Sequence, residues 1–246
     1  MALATRNVTT TKKEIRGPSA GLRVIIPAAG MGYRMKSHGP KALLQINKEY
    51  CLIERQLEII WSEYPGAEIF VVVGFEAEKI RKRLSRYPVR IIYNPIHEKT
   101  NVLFSIGLAL QASIAKEIMI VYGDLIFNDF SIRGMKGKSK ILLDEKKLFK
   151  SDEVGLICQN KKVTNFSFGL DCKWAQIAYL TGSELSLMEE ISIKAEASQW
   201  LGYEALNYII ENGGEMSAHS PKNAQVFEID TKKDLEKFVH NQLTFG

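Results

Sequence analysis

Apolar and polar positions follow two alternating periods along the first half of the chain. Leu22–Ile26 is a short apolar run that ends at Pro27. Leu52–Glu63 (LIERQLEIIWSE) sets its apolar residues at the spacing of one helix face, and Pro65-Gly66 stops it. Glu68–Val73 (EIFVVV) reads as a buried strand closed by Gly74, and Glu76–Tyr87 as a charged amphipathic helix stopped before Pro88. Val89–Tyr93 is a third strand, closed by Asn94-Pro95. Asn101–Ala115 is a helix with Leu103, Ile106 and Leu110 on one face, and Ile118–Tyr122 (IMIVY) is a fourth strand ending at Gly123-Asp124. Short β-branched strands separated by helices predict a parallel sheet covered on both faces.

The second half is less regular. Lys140–Leu143, Val154–Gln159, Lys162–Phe168 and Gln176–Leu180 read as strands linked by turns, which predicts an antiparallel extension. Helices follow near Glu184–Ala197 and Leu201–Asn212, the second ended by Gly213-Gly214. Ala224–Ile229 is then a short strand and Thr231–Asn241 a terminal helix, with Thr231 as N-cap and Asp234 in the capping-box position. There is no internal repeat and no Pro/Ser-rich linker. The organisation expected is a flexible N-terminal arm over residues 1–21 and one domain over 22–246 that includes a small late antiparallel and helical subdomain.

Composition narrows the partners. An apolar share of 46% and a charged share of 25% suit a globular chain that buries a core without staples. No apolar run approaches the roughly 20 residues that cross a bilayer, so no membrane partner is expected. Cys51, Cys158 and Cys172 have no CxxC spacing, which points away from a disulfide framework or zinc site and toward a reducing, cytoplasmic setting. The net charge of +5 is spread along the chain and not gathered into a stripe with interleaved aromatics, so nucleic acid is not an expected partner. Homo-oligomerisation stays open.

The stretch PAAGMGYRMKSHGPK, Pro27–Lys41, follows the first strand. A dinucleotide loop needs G-x-G-x-x-G/A, and Met35 occupies its third position. A Walker A loop needs G-K-[ST], and Lys41 lies between Pro40 and Ala42. Neither pattern fits. What remains is a small-residue loop with exposed amides, extended by Arg34, Lys36 and Lys41, which suits a triphosphate lying along it.

The run IIPAAGMGYRM…PKALLQI resembles the nucleotidyltransferases that activate sugar phosphates and alcohol phosphates, whose signature is an apolar strand, AAGxGxRx and then PKxLL. LIERQLEII, VVVGFEAEKI, YNPIHEKTNVLFSIGLAL, VYGDLIFN and VFEIDTKKDLEKF resemble that family's later segments, in order. TNVLFSIGLAL, Gly202–Leu206 (GYEAL) and FEIDT resemble its phosphocholine cytidylyltransferase-like branch. The resemblance implies a Rossmann-like three-layer α/β sandwich with a mixed, mainly parallel sheet, as in nucleotide-diphospho-sugar transferases. It also implies roles: Ala28, Ala29, Gly30, Met31 and Gly32 against base and phosphates, Arg34 on the β/γ-phosphates, Lys41 on the phosphate where bonds change, and Asn101 and Ser105 orienting base or acceptor.

Two acids end apolar strands. Asp124 follows Gly123, and Asp230 follows Glu228 by two, so residues 228 and 230 share one strand face. If both strands belong to one sheet, these acids converge at its carboxyl edge. Mg²⁺ takes a few carboxylates with waters and phosphates, and the resemblance assigns Asp124 and Asp230 as its ligands. Catalysis would then rest on Arg34, Lys41, Asp124 and Asp230, with CMP passing from CTP to a small phosphorylated acceptor such as phosphocholine or a similar phosphonate. The alternative is a sugar-1-phosphate nucleotidyltransferase using UTP, GTP or dTTP. A choline-like head calls for aromatic faces and acids, for which Trp174, Tyr203, Glu204 and Glu228 are candidates. Two positions depart from the family: Tyr33 follows the second glycine, and Phe168 stands where the family often carries an acceptor lysine. Lys161, Lys162 and Lys173 are the candidate replacements.

Overall fold

The computed structural model describes residues 21–31, 39–144, 153–170 and 172–240. Of the expected N-terminal arm, all but Gly21 lies outside the described residues. The elements of the first half are β1 (Leu22–Ala28), α1 (Leu52–Glu63), β2 (Glu68–Val73), α2 (Ala77–Leu84), β3 (Val89–Tyr93), α3 (Val102–Ala112), β4 (Glu117–Val121), β5 (Leu125–Phe127) and α4 (Asp129–Ile132). Then come β6 (Lys140–Asp144), β7 (Val154–Gln159), β8 (Lys162–Phe168), β9 (Cys172–Thr181), α5 (Gly182–Ser192), α6 (Gly202–Glu211), β10 (Ser217–His219), β11 (Val226–Glu228) and α7 (Lys232–His240).

One sheet runs β3-β2-β1-β4-β9-β6-β10-β8-β7. β1 pairs in parallel with β2 and β4, and β2 with β3. Successive side chains on these strands point to opposite faces, and both faces are apolar. Val24, Ile26 and Val71 pack beneath Leu57 and Ile60 of α1 and Ile80 of α2. Ile25, Phe70 and Val72 face the other way, onto Leu103 and Ile106 of α3, Met188 of α5 and Leu206 of α6. Each such buried aliphatic side chain contributes roughly 1.5–3 kcal/mol of transfer free energy. These two cores hold a helix–sheet–helix sandwich.

The sheet is mixed and the second half adds antiparallel strands, as expected, but the all-parallel part stops at β4. β9 runs antiparallel to both β4 and β6, and the β7–β8 hairpin continues from there. The late strands therefore extend the main sheet. They do not form a separate subdomain, because β9 is buried along most of its length and hydrogen-bonded on both edges. β9 also begins earlier than its periodicity indicates. Gln176 adopts a left-handed φ of 55°, and the pairing with β6 shifts register between Ile141 and Leu143. A bulge of this kind interrupts the alternation from which a strand is read.

A second, two-stranded sheet pairs β5 with β11 antiparallel. It sits over the third core cluster, in which Ile126, Ile229 and Phe238 join Leu44, Ile46 and Leu52. Thr231 and Asp234 cap α7 reciprocally: Thr231 N–H donates to Asp234 Oδ2 at 2.8 Å, and Asp234 N–H donates to Thr231 Oγ1 at 3.3 Å.

Candidate active site

The loop after β1 floors a cleft of about 230 Å³. One wall comes from the end of β4, with Tyr122, Gly123 and Asp124, and the other from Asn94, His97, Thr100, Asn101, Val102 and Ser105 around the start of α3. Gly123 permits the approach of these elements. A Cβ there would sit 2.8 Å from Pro27 O and 3.1 Å from Ala28 Cβ. Its own N–H donates to Pro27 O at 3.2 Å, tying β4 to the loop.

Lys41 enters from the far end of the same loop. Pro40 holds φ at −60°, and a short 3-10 turn over Lys41–Leu43 follows, closed by Leu43 N–H to Pro40 O at 2.9 Å. With Ala42 buried, the Lys41 side chain is aimed at the acids. Its ammonium donates to Asp230 Oδ1 at 2.5 Å and to Asp124 Oδ2 at 3.2 Å.

The acids converge by a route other than one shared sheet. β4 belongs to the main sheet, while Asp230 arrives through the small one. Glu228 pairs with Leu125 across β11–β5, and Ile229 N–H donates to Asp124 O at 3.0 Å. Strand alternation then buries Ile229 completely and turns Glu228 and Asp230 the other way. Asp124, Glu228 and Asp230 place carboxylate oxygens within 4.8 Å of one another. Asp124 Oδ1 is buried and has no hydrogen-bond partner among the described residues.

The electrostatics follow from this crowding. Burial raises the Asp124 carboxyl above its ordinary range, Lys41 opposes that, and Asp230 adds to it. Glu228 is raised by burial and then by Asp124 and Asp230. Burial pulls Lys41 down, but Asp124 and Asp230 outweigh it and hold the ammonium above its usual value. Lys41 is thus a fixed cation between Asp124 and Asp230, and a divalent cation would relieve the mutual repulsion of the three acids.

Ala28, Ala29, Gly30, Asn101 and Ser105 line the cleft together with Lys41 and Asp124. Met31 is half-buried and is not among the lining residues. Arg34 and Gly32, with Tyr33 and Lys36, lie outside the described residues. Asn101 caps α3, its Oδ1 accepting from Val102 N–H at 2.8 Å, and Ser105 Oγ accepts from Asn94 Nδ2 at 3.1 Å. Trp174 is buried, its ring edge-on to Tyr122 and Phe166. Tyr203 meets Phe168 edge-on at 5.5 Å. Glu204 Oε2 accepts from Leu201 N–H at 2.6 Å and so caps α6. Of the three candidate lysines, Lys162 pairs with Glu215 at 2.6 Å and Lys161 occupies a left-handed turn position. Lys173 is buried, 2.7 Å from Glu153 and 3.6 Å from Glu228, beside the acidic triad. Asn94, His97, Thr100 and Tyr122 join the cleft without having been singled out as site residues. The signal for the first three is the polar turn after the third strand, whereas Tyr122 directly follows the fourth.

The β1 loop, its lysine and the Gly-Asp at the end of β4 together match a known domain. Residues 24–133 match the MobA-like NTP transferase domain. The matched span contains the segments from IIPAAG to VYGDLIFN on which the motif resemblance rests. Lys41, Asp124 and the cleft walls fall inside the matched span, while Glu228 and Asp230 lie beyond it. The bifunctional protein GlmU of Solibacter usitatus (strain Ellin6076) is 33% identical over 103 residues, covering 42% of this chain and 22% of that protein. The choline-phosphate cytidylyltransferase of Streptococcus pneumoniae (strain ATCC BAA-255 / R6) is 30% identical over 111 residues, covering 44% of this chain and 47% of its own length. This chain therefore matches less than half of either relative. Among solved structures, the CTP:phosphocholine cytidylyltransferase LicC from Streptococcus pneumoniae superposes with a TM-score of 0.73 at 20% identity, covering 90% of this chain and 99% of its own. The inositol-1-phosphate CTP transferase from T. maritima gives 0.72 at 16%, covering 93% and 97%. These likenesses place the chain in the nucleotide-diphospho-sugar transferase-like α/β fold. No helix among the described residues is long and apolar enough to cross a membrane.

Proposed function

We propose that the chain is a nucleotidyltransferase that moves CMP from CTP to a small phosphorylated acceptor, phosphocholine or a similar phosphate or phosphonate, with release of pyrophosphate. The observation that carries this reading is Lys41 held between Asp124 and Asp230 at the mouth of a glycine-floored cleft. The choline-phosphate cytidylyltransferase relative supports the choice of base and acceptor.

Asp124 and Asp230 fit a divalent ion. Their donors are hard carboxylate oxygens, and the buried Asp124 Oδ1 has no hydrogen-bond partner to lose among the described residues. Mg²⁺ bound there would neutralise phosphate charge, and Glu228 lies close enough to support it. The chain's own residues do the remainder. The amides of Ala28–Gly30 cradle phosphate, and Lys41 offsets the negative charge that builds on the α-phosphate as bonds change. The acceptor needs no protein base, because a phosphate monoester is largely dianionic at neutral pH. One of its oxygens forms the new bond to the α-phosphorus, and the bond to the bridging oxygen of pyrophosphate breaks, with that oxygen taking the electron pair. Catalysis is then alignment and charge compensation.

A sugar 1-phosphate acceptor with UTP, GTP or dTTP is the second reading, favoured by the GlmU relative. A pyrophosphate-release screen separates the two. Wild-type protein with Mg²⁺ is offered each of the four nucleoside triphosphates with phosphocholine, 2-aminoethylphosphonate, glycerol phosphate and sugar 1-phosphates. Release confined to CTP with an alcohol phosphate or phosphonate supports the first reading, and release with a sugar 1-phosphate supports the second. Thermal stabilisation by nucleotide without turnover would overturn both in favour of a nucleotide sensor.

A further inference from the structure

His97 lies in the turn between β3 and α3 and lines the cleft beside the β1 loop. Its ring is pinned at two points. A Cβ at Gly74 would sit 2.6 Å from both Cβ and Cγ of His97 and 2.8 Å from Ala29 O, so the base of the histidine side chain packs closely against the glycine next to the loop. At the other end, His97 Nδ1 lies 3.2 Å from Asn94 O. A carbonyl oxygen only accepts, so Nδ1 carries the proton, and in the neutral ring Nε2 is an acceptor.

The neighbouring amide oxygens are already committed. Asn94 Oδ1 accepts from Ile96 N–H at 3.0 Å, and Asn101 Oδ1 accepts from Val102 N–H at 2.8 Å. Asn94 Nδ2 is shared between Thr100 Oγ1 and Ser105 Oγ, and Thr100 Oγ1 donates to Ile96 O. On this wall, His97 Nε2 is the ring acceptor with no hydrogen-bond partner among the described residues. Ala29 and Gly30 line the same cleft, and a Cβ added at Gly30 would meet no atom of the described residues within 4 Å.

We propose that His97 sets base specificity: its Nε2 accepts a hydrogen bond from the 4-amino group of cytosine and meets the 4-oxo group of uracil lone pair to lone pair. The inference rests on the reading of this cleft as a nucleoside triphosphate site. It makes the discrimination a matter of one fixed tautomer, since an acceptor left facing another acceptor is penalised as well as unrewarded. The basis lies in backbone geometry: Asn94 O selects the tautomer, and Gly74 leaves room for the ring.

The test is calorimetric titration at pH 8 with Mg²⁺, using CTP and UTP against wild type and His97→Phe, which keeps a flat ring over Gly74 and removes the acceptor. Wild type should bind CTP about tenfold or more tighter than UTP, the range of one hydrogen bond made or denied. The variant should bring the two within about threefold by weakening CTP alone. Equal weakening of both nucleotides, or an unchanged ratio, overturns the assignment. A second measurement does not depend on the variant folding. A CTP analogue whose base lacks the 4-amino group should bind wild type about tenfold more weakly than CTP, and binding equal to CTP overturns the inference. Wild type that binds neither CTP nor UTP overturns the nucleotide reading itself, and this inference with it.

Discussion

Lys41 Nζ lies 2.5 Å from Asp230 Oδ1, although the two residues are 189 positions apart in the chain. The contact joins the loop after β1 to the end of the small sheet, and Asp124 closes it from the end of β4. An ammonium in this position is available to phosphate only if something else compensates the acids. That links cation binding to the freeing of Lys41.

Substitution of Lys41 by Met keeps the length of the side chain and removes its charge. Pyrophosphate release should fall by roughly 10²–10³-fold, the scale of one lost transition-state donor. Asp124→Ala should abolish release with the fold intact, as judged by circular dichroism. Normal turnover in either variant would contradict the mechanism.

Gly123→Ala tests the spacing between β4 and the loop. The added methyl meets Pro27 O at 2.8 Å, so either the loop or Asp124 must move. Displacement of about 1 Å at a reacting centre costs on the order of 10²-fold in rate. A kcat close to wild type would show that the close approach is not needed for alignment.

Glu204 caps α6 through Oε2, which accepts from Leu201 N–H at 2.6 Å. Glu204→Ala should lower the melting temperature by roughly 2–4 °C, as expected for about 1 kcal/mol in a chain of this size. Acceptor KM should stay within about twofold of wild type, since a helix cap costs stability and makes no substrate contact. A large rise in KM with unchanged melting would restore a substrate contact.

Glu54 makes stability depend on acid. Burial alone would raise its carboxyl, but hydrogen bonds from Arg83, the Cys51 N–H and Tyr87 hold it down at about 2, against an ordinary value of 4.5. A folded-state pKa below the unfolded one stabilises the fold above about pH 4.5 and loses that contribution as pH falls toward 2. Glu54→Gln should therefore melt well below wild type at pH 6, with the gap closing between pH 4.5 and 2.5. A gap that does not change with pH would mean that the carboxylate's charge plays no part.

Much of the fold is visible in the chain because burial on two faces leaves continuous apolar runs. EIFVVV and LIERQLEIIWSE carry their boundaries in flanking Gly and Pro, and Glu68–Val73 and Leu52–Glu63 form as read. The turn chemistry before α7 is equally local, in Thr231 and Asp234. What escapes is what depends on long-range pairing. β5 and β10 are three residues each, too short to show a period, and exist because β11 and β6 lie beside them. β9 hides its first half behind the left-handed Gln176. At the site, Asp124 and Asp230 are legible as acids ending strands, but their meeting through a second sheet is not. Trp174 and Glu204 look like ligand residues in the sequence because aromatic and acidic types serve both purposes. The structure gives one to the core and the other to a helix end.

The most direct measurement follows the phosphorus atoms. Wild-type protein with CTP, phosphocholine and Mg²⁺ is monitored by phosphorus NMR, with the Lys41→Met variant alongside. The account predicts paired diphosphate resonances of a new P–O–P ester, appearing in equal amounts with free pyrophosphate and absent with the variant. Inorganic phosphate as the only product, or the same diphosphate signals from the Lys41→Met protein, would contradict it.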